Sequence, residues 1–270
     1  MPDHFRHLAP ISARGWSEID GEAKRTLELA LGARRLVEWS GPHGDDLSAV
    51  ATGRLAPAPA GCAHEHAATM FRRLSLPVVE LRAEFTVARA ELEAIDRGAR
   101  DADLSTVVDA ARSIACAEDS LVFNGCADVD IVGAAQGSPH PSVQLTDDYG
   151  AYPSRVAEAV AILQGAGIGG PYGIAVGPRC YTGIVETTEL GGYPVLRHIE
   201  TVLGGGPIVR SEAVDGAVVL SQRGGDFEIV SGNDLAVSYV SHNANEVVLR
   251  LDESLSFVDA TPDAAVAMRY

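Results

Sequence analysis

The stretch Leu76-Pro-Val-Val-Glu80-Leu81-Arg82-Ala83-Glu84-Phe85-Thr86-Val87-Ala-Arg-Ala90-Glu91-Leu-Glu93-Ala-Ile-Asp-Arg-Gly98 decides how the rest of the chain is read. From residue 76 to 87 it alternates, with Leu81, Ala83, Phe85 and Val87 on one side and Arg82, Glu84 and Thr86 on the other. That period of two predicts an extended strand with one buried face. Glu84, Glu91 and Glu93 could serve as paired carboxylates, but charges on a strand's solvated face account for them.

Outward from this segment, the pattern is helical on both sides. Residues 12–36 carry Trp16, Ile19, Ala23, Leu27, Ala30 and Leu31 at three- and four-residue intervals, which predicts a helix that Ser12 can cap. After Ser40-Gly41-Pro42 comes a Pro/Ala/Gly-rich excursion, residues 43–74, without an apolar period, expected as a long exposed loop or hairpin. A second long helix is expected from a cap at Asp103 to a stop at Asn124-Gly125, with Leu104, Val107, Val108, Ala111, Ile114, Ala115, Leu121 and Val122 as its apolar face.

The second half shifts from helices to strands. A polar connection over residues 128–148 leads to a Pro-started helix at 154–163, a strand at 172–176, and short helices near 181–187 and 195–203. Beyond Gly204-Gly205-Gly206-Pro207, apolar runs at 217–221, 227–230, 235–240, 247–251 and 254–258 alternate with turn compositions, which reads as a β-meander. The fold class expected is α+β, and no repeat of 20 to 50 residues is visible.

Composition narrows the partners. The 37 acidic and 21 basic residues give a formal charge of −16, which repels phosphate backbones and anionic lipid. Lys24 is the one lysine, so lysine chemistry has a single candidate. No apolar run approaches the roughly 18 to 20 residues of a membrane span, and the polar opening Met1-Pro-Asp-His-Phe-Arg-His7 lacks an export signal. A soluble, cytoplasmic protein is expected, with Cys62, Cys116, Cys126 and Cys180 as free thiols.

Chemical motifs are weak. Gly165-Ala-Gly167-Ile-Gly169-Gly170 has the spacing of a dinucleotide fingerprint, yet a helix precedes it and a strand follows, so no helix N-terminus faces a phosphate. Cys62-Ala-His64-Glu-His66 would converge three metal ligands if extended, but its Ala/Gly/Pro surroundings offer no rigid support. No nucleophile elbow occurs. Arg223-Gly224-Gly225-Asp226-Phe227 reads as a hairpin turn.

The segments Leu8-Ala9-Pro10-Ile11, Trp16-Ser-Glu-Ile19, Arg34-Arg35-Leu36-Val37 and Ser40-Gly41-Pro42-His-Gly44 are followed by residues 76–98. Glu118-Asp119-Ser-Leu-Val-Phe123-Asn-Gly125, Gly170-Pro171-Tyr172, Tyr193-Pro194 and residues 223–227 come next. In this order they resemble family 1 encapsulin shell proteins, the linocin-like containers. The resemblance implies the major-capsid fold of tailed bacteriophages. It also implies three parts: a discontinuous peripheral domain (1–42, 76–129 and 223–270), an extended loop (43–75) and an axial domain (130–222). A chain of this kind assembles with itself into sixty or a larger icosahedral multiple, as a container rather than an enzyme.

The resemblance further implies an interior site for the C-terminal targeting peptide of a cargo enzyme, such as a dye-decolourising peroxidase or a ferritin-like protein. Leu27 and Leu31 would give apolar contact, Arg34 and Glu38 polar contact, and Asp234, Leu235 and Val237 the facing strand. A pore loop would carry Glu186, Glu189 and Tyr193, an acidic mouth favouring cations such as Fe²⁺. Some relatives stack flavin on a Trp where this chain has Ala90, so no flavin or other cofactor is expected. Lys24 stands on the wrong element for the isopeptide cross-links of some phage capsids. Two alternatives remain at this stage: a defective-prophage capsid packaging DNA, against which the acidic charge argues, and a soluble metal-dependent enzyme using Cys62, His64 and His66.

Overall fold

A computed structural model of the chain describes residues 4–58, 69–189 and 191–270. Helix α1 (Ala13–Ala30) begins where expected, since the Ser12 side chain accepts from Gly15 N at 3.0 Å. It ends earlier than its apolar pattern suggested. The chain turns at Gly32 into a single 3₁₀ turn, Ala33–Arg35, because the Asp119 carboxylate accepts from Gly32 N at 3.1 Å and from Ala33 N at 2.7 Å. Glycine suits that approach: a Cβ at position 32 would stand 2.7 Å from Asp119 Oδ2.

Strand β1 (Glu38–Ser40) follows, then β2 (Ala49–Pro57) and β3 (Phe71–Pro77), an antiparallel pair that forms its own two-stranded sheet. Leu55, Met70 and Phe71 on this arm are exposed. The Cys62, His64 and His66 motif lies outside the described residues.

The opening stretch divides differently from its sequence reading. β3 stops at Pro77, Val78 donates to Ser48 O, and β4 (Val79–Ala88) starts afresh. Helix α2 (Arg89–Arg97) follows directly and closes on Gly98 at φ 103°, a left-handed C-cap. Glu91 and Glu93 therefore sit on a helix, not on the face of a strand. The signal for α2, Leu92 and Ile95 at three-residue spacing, was masked by its short length.

Helix α3 (Ser105–Asn124) starts two residues past Asp103, whose carboxylate accepts from Ser105 N at 3.0 Å. Then come α4 (Ala134–Gly137), β5 (Val143–Gln144), α5 (Tyr152–Gly165), β6 (Tyr172–Val176), α6 (Pro178–Glu186) and α7 (Val195–Val202). The strands β7 (Ile208–Arg210), β8 (Ala217–Ser221), β9 (Phe227–His242), β10 (Glu246–Asp259) and β11 (Ala265–Arg269) complete the chain.

Two larger sheets organise these elements. One runs β1-β9-β10-β4, with β1 parallel to β9 and the other pairs antiparallel. The other runs β5-β11-β8-β6-β7. The expected turns at 231–234 and 252–253 do not interrupt the first sheet. They are absorbed as register shifts near Asp252 and Ser254, so four short runs become two long strands. The C-terminal strand β11, counted above with residues 223–270, pairs with β8 and β5 in the second sheet.

Each sheet has its own core. Ile19, Ala23 and Leu27 of α1 and Val107, Ala111 and Ile114 of α3 pack on Phe85, Val87, Leu249 and Leu251 of the first sheet. Alternation in β4 produces that face, as the sequence predicts. Around the second sheet, Val156, Leu163, Ile174, Ile184, Ile199, Val219 and Met268 form the larger cluster.

Candidate functional site

The last turns of α1 stand over β9 and leave a groove of about 620 Å³ between them. Ala23, Leu27, Leu31, Leu235, Val237 and Leu251 supply its apolar surface, and Arg6, Asp20, Lys24, Glu28, Arg34, Arg35 and Asp234 stand at its rim. The volume lies within the roughly 300 to 1,000 Å³ of ordinary ligand pockets. Six of the seven residues named from the sequence meet here: Leu27, Leu31, Arg34, Asp234, Leu235 and Val237.

Glu38 is the exception. The early end of α1 carries it into β1, where its Oε2 accepts from Gly225 N at 3.1 Å and supports the 223–226 turn. It lies at a separate cleft with Gln222 and Gly224.

Arg34 is committed beneath the groove. Its Nε contacts both Glu118 oxygens at 3.0 and 2.9 Å, Nη2 reaches Glu118 at 2.7 Å and Glu253 at 2.8 Å, and Nη1 reaches Asp234 at 2.7 Å. Side-chain exposure is 0% for Glu118 and 1% for Glu253, so one guanidinium balances two buried carboxyls and one exposed carboxylate. Burial, then the neighbouring Glu118 carboxylate, pushes the Glu253 carboxyl well above the usual carboxylate range. Burial works against the Arg34 cation, but Glu118 and Glu253 outweigh it and hold its pKa raised.

The adjacent Asp119 joins the two cores. Besides the Gly32 and Ala33 amides it accepts from Ser211 Oγ at 2.6 Å, next to β7. Burial pushes its carboxyl up to about 6, against those hydrogen bonds. The Asp-Glu-Ser composition at 252–254 reads locally as a turn, which hides Glu253 from sequence reasoning.

Arg6 is another residue of the site that the sequence did not reveal. Its guanidinium pairs with Asp20 at 2.8 and 2.6 Å, lies 4.4 Å from the Trp16 ring centre, and donates through Nε to Val237 O at 2.8 Å. With Tyr239 N donating to His4 O at 3.0 Å, the N-terminal segment straps the edge of β9. Fourteen residues separate Arg6 from Asp20, so no local pattern marks the pair.

The expected pore loop follows α6. Glu186 is exposed at the helix end, whereas Glu189 Oε1 lies 2.7 Å from His198 Nδ1 on α7. Glu189 N donates to Tyr193 O at 2.8 Å, and the Tyr193 ring stands edge-on to His198. The loop thus brings Glu189 and Tyr193 together and leaves Glu186 apart. Ala90 is exposed on the first turn of α2. Among the described residues, Cys116, Cys126 and Cys180 are free thiols and no cluster of three metal-ligating side chains occurs.

Comparison with known proteins decides the family. The family model Linocin_M18, described as encapsulating protein for peroxidase, matches residues 1–256. The chain belongs to the encapsulin shell-protein family. A type 1 encapsulin shell protein of Rhodospirillum rubrum is 44% identical over 272 residues, covering 100% of this chain and 97% of the relative. Those of Rhodococcus erythropolis and Mycobacterium tuberculosis are 40% and 37% identical, covering 99% and 100% of this chain and 100% of each relative.

Among solved structures, a virus-like particle from Pyrococcus furiosus superposes with a TM-score of 0.61 at 14% identity, covering 93% of this chain and 98% of that one. The capsid of Myoviridae phage XM1 gives 0.52 at 15% identity, over 88% and 90%. These encapsulin and phage likenesses establish the α+β capsid fold. No helix among the described residues is long and apolar enough to cross a membrane.

Proposed function

We propose that this encapsulin subunit closes with its copies into an icosahedral container and holds a cargo enzyme by the enzyme's C-terminal peptide, bound in the groove between α1 and β9. The observation that carries the reading is the groove itself. An apolar floor of Leu27, Leu31, Leu235 and Val237 framed by charges suits a short segment whose aliphatic side chains need burial. The family description, encapsulating protein for peroxidase, makes a peroxidase the first cargo to try. The exposed β2–β3 arm, with Leu55, Met70 and Phe71 uncovered, suits pairing with a neighbouring subunit.

In this reading the shell lies in the bacterial cytoplasm, is not itself an enzyme, and carries no flavin at Ala90. Glu186 and Glu189 give its pore loop an acidic character that favours cations over anions. Leu235→Asp, at a half-buried position of the groove wall, tests the cargo site. Its particles should form normally and leave a co-expressed cargo outside. Unchanged loading in that variant would remove the groove from the account.

A further inference from the structure

Two strand connections carry the chain between the larger sheets, and they run side by side. Residues 222–226 lead from β8 to β9, and residues 260–264 lead from β10 to β11. The carbonyl of Asp226 ties them together, accepting from Ala260 N at 2.9 Å and from Thr261 N at 3.3 Å. Helix α3, whose side chains enter both cores, is a further crossing, and α4 beyond it packs on β11 and on the end of β10.

Asp259, the last residue of β10, stands where these paths meet. Both of its carboxyl oxygens are shut off from solvent, and among the described residues neither has a hydrogen-bond partner. Gly137, at the end of α4, closes one side: a Cβ there would stand 2.4 Å from Asp259 Oδ2 and 3.0 Å from Val132 Cγ1. The charged groups around the site bring Asp259 no counter-charge. Asp226 and Asp263 are themselves acids. Arg223 is taken by Asp226, with Nε 3.2 and 2.9 Å from its two oxygens and Nη2 at 2.7 Å. His140 places Nε2 2.9 Å from Asp263 O, and Glu38 accepts from Gly225 N on the turn.

A buried carboxylate without a partner is costly, and a buried carboxylic acid much less so. Burial, then the neighbouring Asp226 and Asp263, pushes the Asp259 carboxyl from the ordinary 3.8 up to about 6. With its folded value raised, the stability it contributes is fully present below 3.8 and is lost as pH rises through about 6. Ionisation therefore works against the packing that encloses the carboxyl. That packing is the contact of α4 with the two connections.

We infer that this crossing point is a proton-operated hinge between the two sheets, closed while Asp259 carries its proton and loosened when the carboxyl releases that proton to water. In the loosened state solvent reaches the carboxylate and supplies the hydrogen bonds that the closed site lacks. Residues 222–226 and 260–264 give way, and the angle between the sheets is what they hold. The hinge belongs to the subunit itself and does not depend on what the groove binds.

Hydrogen exchange of the purified protein in its native assembly, read by mass spectrometry at pH 5.5 and 7.5 and corrected for intrinsic rates, tests the hinge. With the ordinary carboxyl value in the loosened state, linkage between 3.8 and about 6 favours opening about fourfold more at pH 7.5 than at pH 5.5. Peptides covering 222–227 and 258–264 should lose protection by that factor, while those from β4 and α5 should not change. Asp259→Asn imitates the protonated acid and should hold both peptides at the slow rate at either pH. Equal protection of the parent at the two pH values would overturn the hinge, and the parent alone decides this if the variant fails to assemble. A variant that keeps the parent's pH difference would also overturn it. So would a loss of protection shared evenly by β4 and α5, which is global opening.

Discussion

Arg34 gives the sharpest test of the physical account. Replacing it with methionine retains much of the apolar stem but leaves Glu118, at 0% exposure, without its counter-charge. Breaking a buried ion pair by removing one partner costs about 3 to 5 kcal/mol. For a chain of this size, 1 kcal/mol moves the unfolding midpoint by roughly 2 to 4 °C, so a fall of about 6 to 20 °C is expected. Glu253→Gln is the informative companion. Its folded pKa is raised, so the stability it contributes is fully present below the ordinary carboxyl value of 4.5 and is lost as pH rises through the raised value. Glutamine imitates the protonated acid, and should cost no more than about 1 kcal/mol at neutral pH. It should also flatten the decline expected of the parent protein as pH rises above 4.5. Differential scanning fluorimetry at one scan rate across a pH series reads both effects. An Arg34→Met midpoint within 2 °C of the parent, or a Gln variant as damaged as the Met variant, would refute the buried-charge reasoning.

Two further outcomes follow from local geometry. Gly32→Ala sets a methyl 2.7 Å from Asp119 Oδ2 and 3.1 Å from Val209 Cγ1, and should cost about 1 to 3 kcal/mol, read by the same thermal scan. Glu189→Gln removes a negative charge from the loop and the ion pair open to a protonated His198; iron uptake by ferritin-loaded particles should slow, and an unchanged rate would detach this loop from cation entry.

Much of the fold was legible because it rests on local periodicity. Alternation in residues 76–87 identified β4, and the spacing of Ile19, Ala23 and Leu27 identified the buried face of α1. The errors came where distant groups override local composition. Asp119, 87 positions away, stops α1 at its end by taking the Gly32 amide. Glu253 looked like part of a turn because its partners, Arg34 and Glu118, arrive from elsewhere in the chain. The groove was legible mainly through the resemblance, which named six lining residues. It missed the Arg6 strap and misplaced Glu38, since the chain's path after residue 30 depends on that distant cap.

The central claim is closure into a container, and the mass of the purified particle measures it most directly. Native mass spectrometry or light scattering on protein expressed alone should give a megadalton species at sixty subunits or a larger icosahedral multiple of the 28.3 kDa chain. A monomer or a small oligomer under the same conditions would contradict it.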